Sequence, residues 1–153
     1  MANTYTQIYL QLVFAVHSRE ALIKPEFKDE VYKYMTGIVR NNGSKLLAIN
    51  GMPDHVHLLV GWKPSVDLPS LVKDVKAGSS RFINEKRFLR GRFNWQEGYG
   101  AFSYGHSQLT SVIKYIENQE QKHARRSFRT EYMSLLRKFD IAFEEKYAFK
   151  ELW

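Results

Sequence analysis

The stretch His55-Val56-His57-Leu58-Leu59-Val60-Gly61-Trp62 constrains this chain more than any other. It is largely apolar, fenced by Gly51-Met52-Pro53 on one side and Lys63-Pro64 on the other. That pattern predicts a short, mostly buried strand. Alternate side chains of a strand share a face, so Val56, Leu58 and Val60 point one way and His55, His57 and Leu59 the other. The two imidazoles then stand roughly 7 Å apart on one face, near enough to lean onto one metal ion or one phosphate. A bare His-x-His is a short pattern, however, and two ordinary histidines on a half-exposed strand also produce it.

A buried strand needs a body around it. At 153 residues the chain reads as a single domain, 1–153, able to bury about 70% of its unfolded surface. The absence of cysteine excludes disulfides, thiolate zinc sites and a cysteine nucleophile. No apolar run approaches the length of a membrane span, and the N-terminus lacks the pattern of a secretory signal. The expectation is a cytoplasmic protein with no membrane partner. A formal charge of +7 points towards a polyanion.

Period-two and period-3.6 segments alternate along the chain. Thr4 to Val16 alternates, with Ile8, Leu10, Leu12, Phe14 and Val16 facing one way and Gln7, Tyr9 and Gln11 the other. Lys24-Pro25 opens a helix whose stripe is Phe27, Val31, Tyr34, Met35 and Ile38; Asn41-Asn42-Gly43 stops it. Ser44 to Asn50 is a second strand, and the tight Gly51–Asp54 connection returns the histidine strand antiparallel to it. Asp67 caps a second helix carrying Leu68, Leu71, Val72, Val75, Phe82 and Ile83 on one side. Its other side carries Lys73, Lys76, Arg81, Lys86 and Arg87, a solvated face or a track for a phosphate backbone. Gly78 within this helix costs about 1 kcal/mol against alanine and signals a close approach by something that the sequence does not identify.

Phe93 to Gly100 is a glycine- and aromatic-rich loop, in which Trp95 or Tyr99 either stacks on exposed bases or packs in the core. Tyr99 to Tyr104 is a fourth strand. Ser107 caps a helix from Gln108 to about Ala124 with the stripe Leu109, Val112, Ile113 and Ile116. Tyr115 and Gln119 lie off that stripe and one turn apart, neighbours on the polar flank. A last helix spans about Phe128 to Phe139, capped by Ser127, with Phe128, Tyr132, Leu135, Leu136 and Phe139 as its stripe. His123, Arg125, Arg126 and Arg129 form a basic junction before it.

Strand, helix, strand, strand, helix, strand and then helices is the order of an α+β, ferredoxin-like split βαβ fold. It has a central antiparallel sheet and additional C-terminal helices. The histidine strand is then central. A helix laid over the open sheet face could bring Tyr115 and Gln119 to the histidines.

Three motifs now carry a resemblance: Met52-Pro53-Asp54-His55-Val56-His57, Trp95-Gln96-Glu97-Gly98-Tyr99-Gly100-Ala101-Phe102-Ser103, and Tyr115-Ile116-Glu117-Asn118-Gln119. In this order and at these distances they resemble the single-tyrosine HUH transposases of the smallest bacterial insertion sequences. HUH denotes histidine, hydrophobic residue, histidine. The resemblance implies that His55, His57 and Gln119 bind a divalent metal, Mg²⁺ or Mn²⁺, and that Tyr115 attacks a DNA phosphate to form a covalent 5′-phosphotyrosine. It further implies single-stranded DNA with hairpins near the element's ends as substrate. A homodimer is implied as well, in which the tyrosine helix of one subunit can complete the other's site. Lys73, Lys76, Arg81, Lys86, Arg87, Trp95, Arg125 and Arg126 are the candidate DNA contacts.

Two other readings stay open on the residues alone. One is a non-catalytic RNA-binding module of the same strand order, stacking bases on sheet-face aromatics, which Tyr5, Tyr9 and the basic helices would allow. The other is an HUH replication initiator or relaxase-like nuclease. Cation-dependent cleavage separates the first from a transposase, and flanking hairpin-forming repeats separate the second.

Overall fold

The computed structural model describes residues 4–123 and 126–143. Four strands form one antiparallel sheet: β1 (Tyr9–Ala15), β2 (Lys45–Met52), β3 (His55–Gly61) and β4 (Gly100–Tyr104), in the order β2-β3-β1-β4. The histidine strand is therefore internal, with His57 opposite Val13 on one side and Asn50 on the other. Helix α1 (Lys28–Asn41) links β1 to β2, and α2 (Leu68–Lys86) links β3 to β4. Helices α3 (Leu109–Glu117), α4 (Gln119–His123) and α5 (Phe128–Lys138) follow the sheet. This is the split βαβ architecture with added C-terminal helices that the order of patterns predicts.

The two sheet faces have different roles. Leu12, Phe14, Val56, Leu58 and Val60 point to one face and bury against Val31 and Met35 of α1 and Leu71, Val72 and Val75 of α2. The period-two pattern thus makes a continuous apolar layer covered by two amphipathic helices. Helices α1 and α2 pack closely at Gly78, where an added Cβ would come within 2.6 Å of Ile38 Cδ1. That contact accounts for a glycine inside a helix, where it otherwise costs about 1 kcal/mol against alanine.

The opposite face carries the histidines. Leu59 and Tyr9 pack there under Leu109, Val112 and Ile116 of α3. Val13, Ala15 and Phe102 pack under Phe128, Leu135 and Leu136 of α5. The side-chain hydroxyl of Ser127 accepts a hydrogen bond from Thr130 N–H to cap α5, as Asp67 does from Ser70 N–H for α2.

Expectations change at several element ends. Helix α1 begins at Lys28 and not at Lys24-Pro25. Ser107 lies inside a 3₁₀ turn (His106–Gln108), so that α3 starts after Gln108 without a side-chain cap. The first strand begins at Tyr9 and not Thr4, because its partners end at Gly61 and Tyr104, opposite Tyr9. The single helix expected from Gln108 breaks at Asn118, between α3 and α4. There the Asn50 side-chain amide donates to the Glu117 carbonyl at 3.0 Å, taking an acceptor that the next helical turn would use.

Candidate active site

His55 and His57 leave β3 on the side covered by α3 and α5, with ring centroids 5.2 Å apart. Both rings are pinned from behind. His55 Nδ1–H donates to Asp54 Oδ1 at 2.7 Å, and His57 Nδ1–H donates to Gln11 Oε1 at 2.7 Å. Gln11 is itself oriented by donating to the Tyr104 hydroxyl at 2.8 Å. These bonds fix the ring tautomers and leave each Nε2 facing the centre of the site. Phe128 stacks on His55 with centroids 4.2 Å apart, and the Tyr115 ring stands edge-on to His57 at 5.7 Å.

The helices supply the remaining groups. Gln119, first residue of α4, places Oε1 3.1 Å from His55 Nε2. Tyr115 of α3 and Gln119 of α4 thus meet the histidines within one chain, despite the break between their helices. At the centre lies a residue that pattern reading misses. Glu131 of α5 sets Oε1 3.0 Å from His57 Nε2 and 3.4 Å from His55 Nε2. Its Oε2 accepts from Gln119 Nε2 at 3.0 Å and from the Tyr115 hydroxyl. His55, His57, Gln119 and Glu131 are each 0% exposed. The available signal was a carboxylate on the apolar side of α5, one turn after Phe128 and one turn before Leu135; charged residues are seldom fully buried unless paired.

This donor set suits a cation. The two Nε2 atoms and Glu131 Oε1 offer electron pairs to one another across a short gap, with Gln119 Oε1 against His55 Nε2. Either second protons on the rings or a metal ion satisfies such a set. One ligand atom each from His55, His57 and Glu131 lies within 4.8 Å of the others. Burial works against protonation of His55, but its hydrogen bonds to the Asp54 and Glu131 carboxylates outweigh it and hold the pKa above the usual imidazole range. Burial pushes the Tyr115 phenol well above its ordinary pKa, and the negative charge of Glu131 adds to the rise; the positive charge of Arg126 opposes it.

The candidate DNA contacts divide. Arg126 acts on Tyr115 and lines a cavity of about 430 Å³ with Asp54 and Phe128. Lys73, Arg81 and Lys86 are exposed on α2, and Arg87 at its C-cap; α2 covers the face of the sheet away from the histidines. Lys76 instead braces the loop before β4. Its ammonium donates to the carbonyls of Gln96 and Gly98 at 2.8 and 2.5 Å, and burial draws its pKa down to about 8. Trp95 packs edge-on against Phe14 and Phe93, and its indole N–H donates to Ser79. Arg125 and the tail after residue 143 lie outside the described residues. Of the stacking residues in the RNA-module reading, Tyr9 is buried beneath α3, whereas Tyr5, before β1, is exposed.

An internal histidine pair on a split βαβ sheet faces a tyrosine on a covering helix, and likeness to known proteins places the chain among the DNA-processing transposases. The chain belongs to the family described as Transposase IS200 like, whose model matches residues 4–119. It is 29% identical over 121 residues to the ISDra2 transposase TnpA of Deinococcus radiodurans, covering 76% of this chain and 86% of that protein. A crystal structure of a candidate transposase from Deinococcus radiodurans R1 superposes with a TM-score of 0.63 at 27% identity, covering 78% of this chain and 95% of the other. The fold is shared with a REP-associated tyrosine transposase solved bound to a REP hairpin, with a TM-score of 0.60 at 13% identity over 80% of this chain and 73% of that one. Among the described residues no helix is long and apolar enough to cross a membrane.

Proposed function

We propose that this transposase cuts and rejoins single-stranded DNA at the hairpin-marked ends of its element. Tyr115 is the nucleophile, and His55, His57 and Gln119 hold a divalent cation, Mg²⁺ or Mn²⁺. The observation that carries this reading is the meeting of the Tyr115 hydroxyl with the buried imidazole pair through a single carboxylate. In the reaction the phenolic oxygen attacks phosphorus and the 3′ oxygen departs as a hydroxyl. A phosphotyrosine ester thereby replaces one phosphodiester bond and preserves its energy for rejoining. A free phenol has a pKa near 10, so at neutral pH it needs help to ionise.

A bound divalent cation supplies that setting with positive charge to stabilise a phosphate under attack. Nitrogen donors mixed with oxygen suit Mn²⁺ better than Mg²⁺. Tyr115 also walls a cavity of about 590 Å³ together with Lys114, Lys138 and Ser111, an approach on which a phosphate backbone meets two cationic side chains. Hairpin recognition is supported by the REP-hairpin complex of the transposase that shares the fold. The proposal includes a homodimer. In that dimer the tyrosine helix can serve the site of its own chain or complete that of the partner subunit.

Incubation with single-stranded hairpin oligonucleotides and Mn²⁺ or Mg²⁺, followed by a denaturing gel, tests the reading. A protein–DNA adduct is expected with the parent protein. Tyr115→Phe should reduce it below detection while hairpin binding changes less than about twofold. An adduct of equal yield in Tyr115→Phe would refute the assignment.

A further inference from the structure

Assigning Tyr115, Gln119 and the histidines leaves the most central side chain without a role. Glu131 is wholly buried, yet it is reached from both directions: Oε1 stands against the two imidazoles and Oε2 against the phenol and the Gln119 amide. We propose that Glu131 is a ligand of the cation through Oε1 and positions the nucleophile through Oε2, so that metal binding and tyrosine placement are one event. The proposal rests on the reading of Tyr115 as the attacking group.

Several observations support this double role. A carboxylate is planar, so fixing one oxygen on a cation fixes where the other points. Two imidazoles and a carboxylate form a donor set suited to divalent transition metals, and their ligand atoms converge within 4.8 Å. The backbone that carries Glu131 is held as well, since Phe128 one turn earlier stacks on His55 and Leu135 one turn later packs against the sheet. Were Glu131 only filling space, an apolar side chain of similar volume would avoid the desolvation of a charge.

The near-isosteric Glu131→Gln variant tests both roles. Mn²⁺ affinity, measured by titration calorimetry without DNA, is expected to fall at least tenfold. In protein carrying 3-fluorotyrosine, the residue-115 fluorine signal, identified by its loss in Tyr115→Phe, should move on Mg²⁺ addition in the parent and stay still in the variant. At saturating Mn²⁺ the adduct should form at least tenfold more slowly, with the melting temperature and hairpin affinity as controls for folding. Unchanged Mn²⁺ affinity would overturn the ligand role, and an unchanged or faster adduct would overturn the positioning role. If Glu131→Gln fails to fold, a parent residue-115 signal indifferent to saturating Mg²⁺ would overturn the coupling. If the parent forms no adduct through Tyr115 but the affinity and fluorine results hold, the proposed reaction fails and the coupling stands.

Discussion

At His55 a proton and the proposed metal ion would compete for the same Nε2. Burial disfavours the charged ring, but Asp54 and Glu131 more than compensate and raise its pKa. Its contribution to stability is therefore complete below the unfolded value near 6.5 and is lost as pH rises through the higher folded value. In chelator-treated protein the unfolding free energy should fall as pH climbs from about 6.5. Asp54→Ala should flatten that fall, because one of the two carboxylates holding the proton is gone. Saturating Mn²⁺ should flatten it too, the cation taking the proton's place. Asp54→Ala should also weaken Mn²⁺ binding by about 10–100-fold through loss of ring orientation. Urea unfolding across pH and calorimetry measure these effects; a parent curve with no fall above about pH 6.5 would rule out the linkage.

The β2–β3 hairpin sets where the imidazoles stand, and Gly51 sets the hairpin. A Cβ there would lie 2.2 Å from the His55 carbonyl oxygen and 2.8 Å from Val56 Cα, both backbone atoms that cannot swing aside. Gly51→Ala should cost about 1–3 kcal/mol by overpacking and lower the melting temperature by a few degrees. It should weaken Mn²⁺ binding as well, since the residue displaced is a proposed ligand. Gly37→Ala is the control: it lies within α1 with nothing within 4 Å, and should be neutral or stabilising by up to about 1 kcal/mol. Equal melting points for Gly51→Ala and the parent would contradict this account. The caps at Asp67 and Ser127 were readable from sequence because capping is local. The break at Asn118 was not, because the group that engages Glu117 comes from Asn50 in β2.

Across the whole molecule, the chemistry and much of the positive charge lie on opposite faces of the sheet. Lys73, Arg81 and Lys86 line the exposed side of α2, with Arg87 at its C-cap, while the imidazoles face α3 and α5. As proposed DNA contacts they would hold phosphates away from the reacting bond. Lys73→Ala with Arg81→Ala should then reduce the salt dependence of hairpin binding by about one unit of slope for each phosphate no longer engaged. The rate of adduct formation on saturating DNA should change little. Fluorescence anisotropy between about 50 and 200 mM salt, a range over which phosphate contacts dominate affinity, measures the slope; an unchanged slope would remove α2 from the DNA surface.

The sequence by itself determined the period-two strands, the amphipathic helices, their order, and the pairing of His55 with His57 on one side of β3. Those features follow from local repeats that one chain segment carries alone. It also placed Tyr115 and Gln119 off the apolar stripe, where a functional role could be suspected. Only the tertiary structure decided that Glu131 stands between them and the histidines, 76 residues beyond His55 in sequence. Within α5 that residue is one of several polar positions, beside Arg129, Thr130 and Ser134. Its environment is supplied by β3, α3 and α4, and long-range packing alone determines which side chains surround a buried charge.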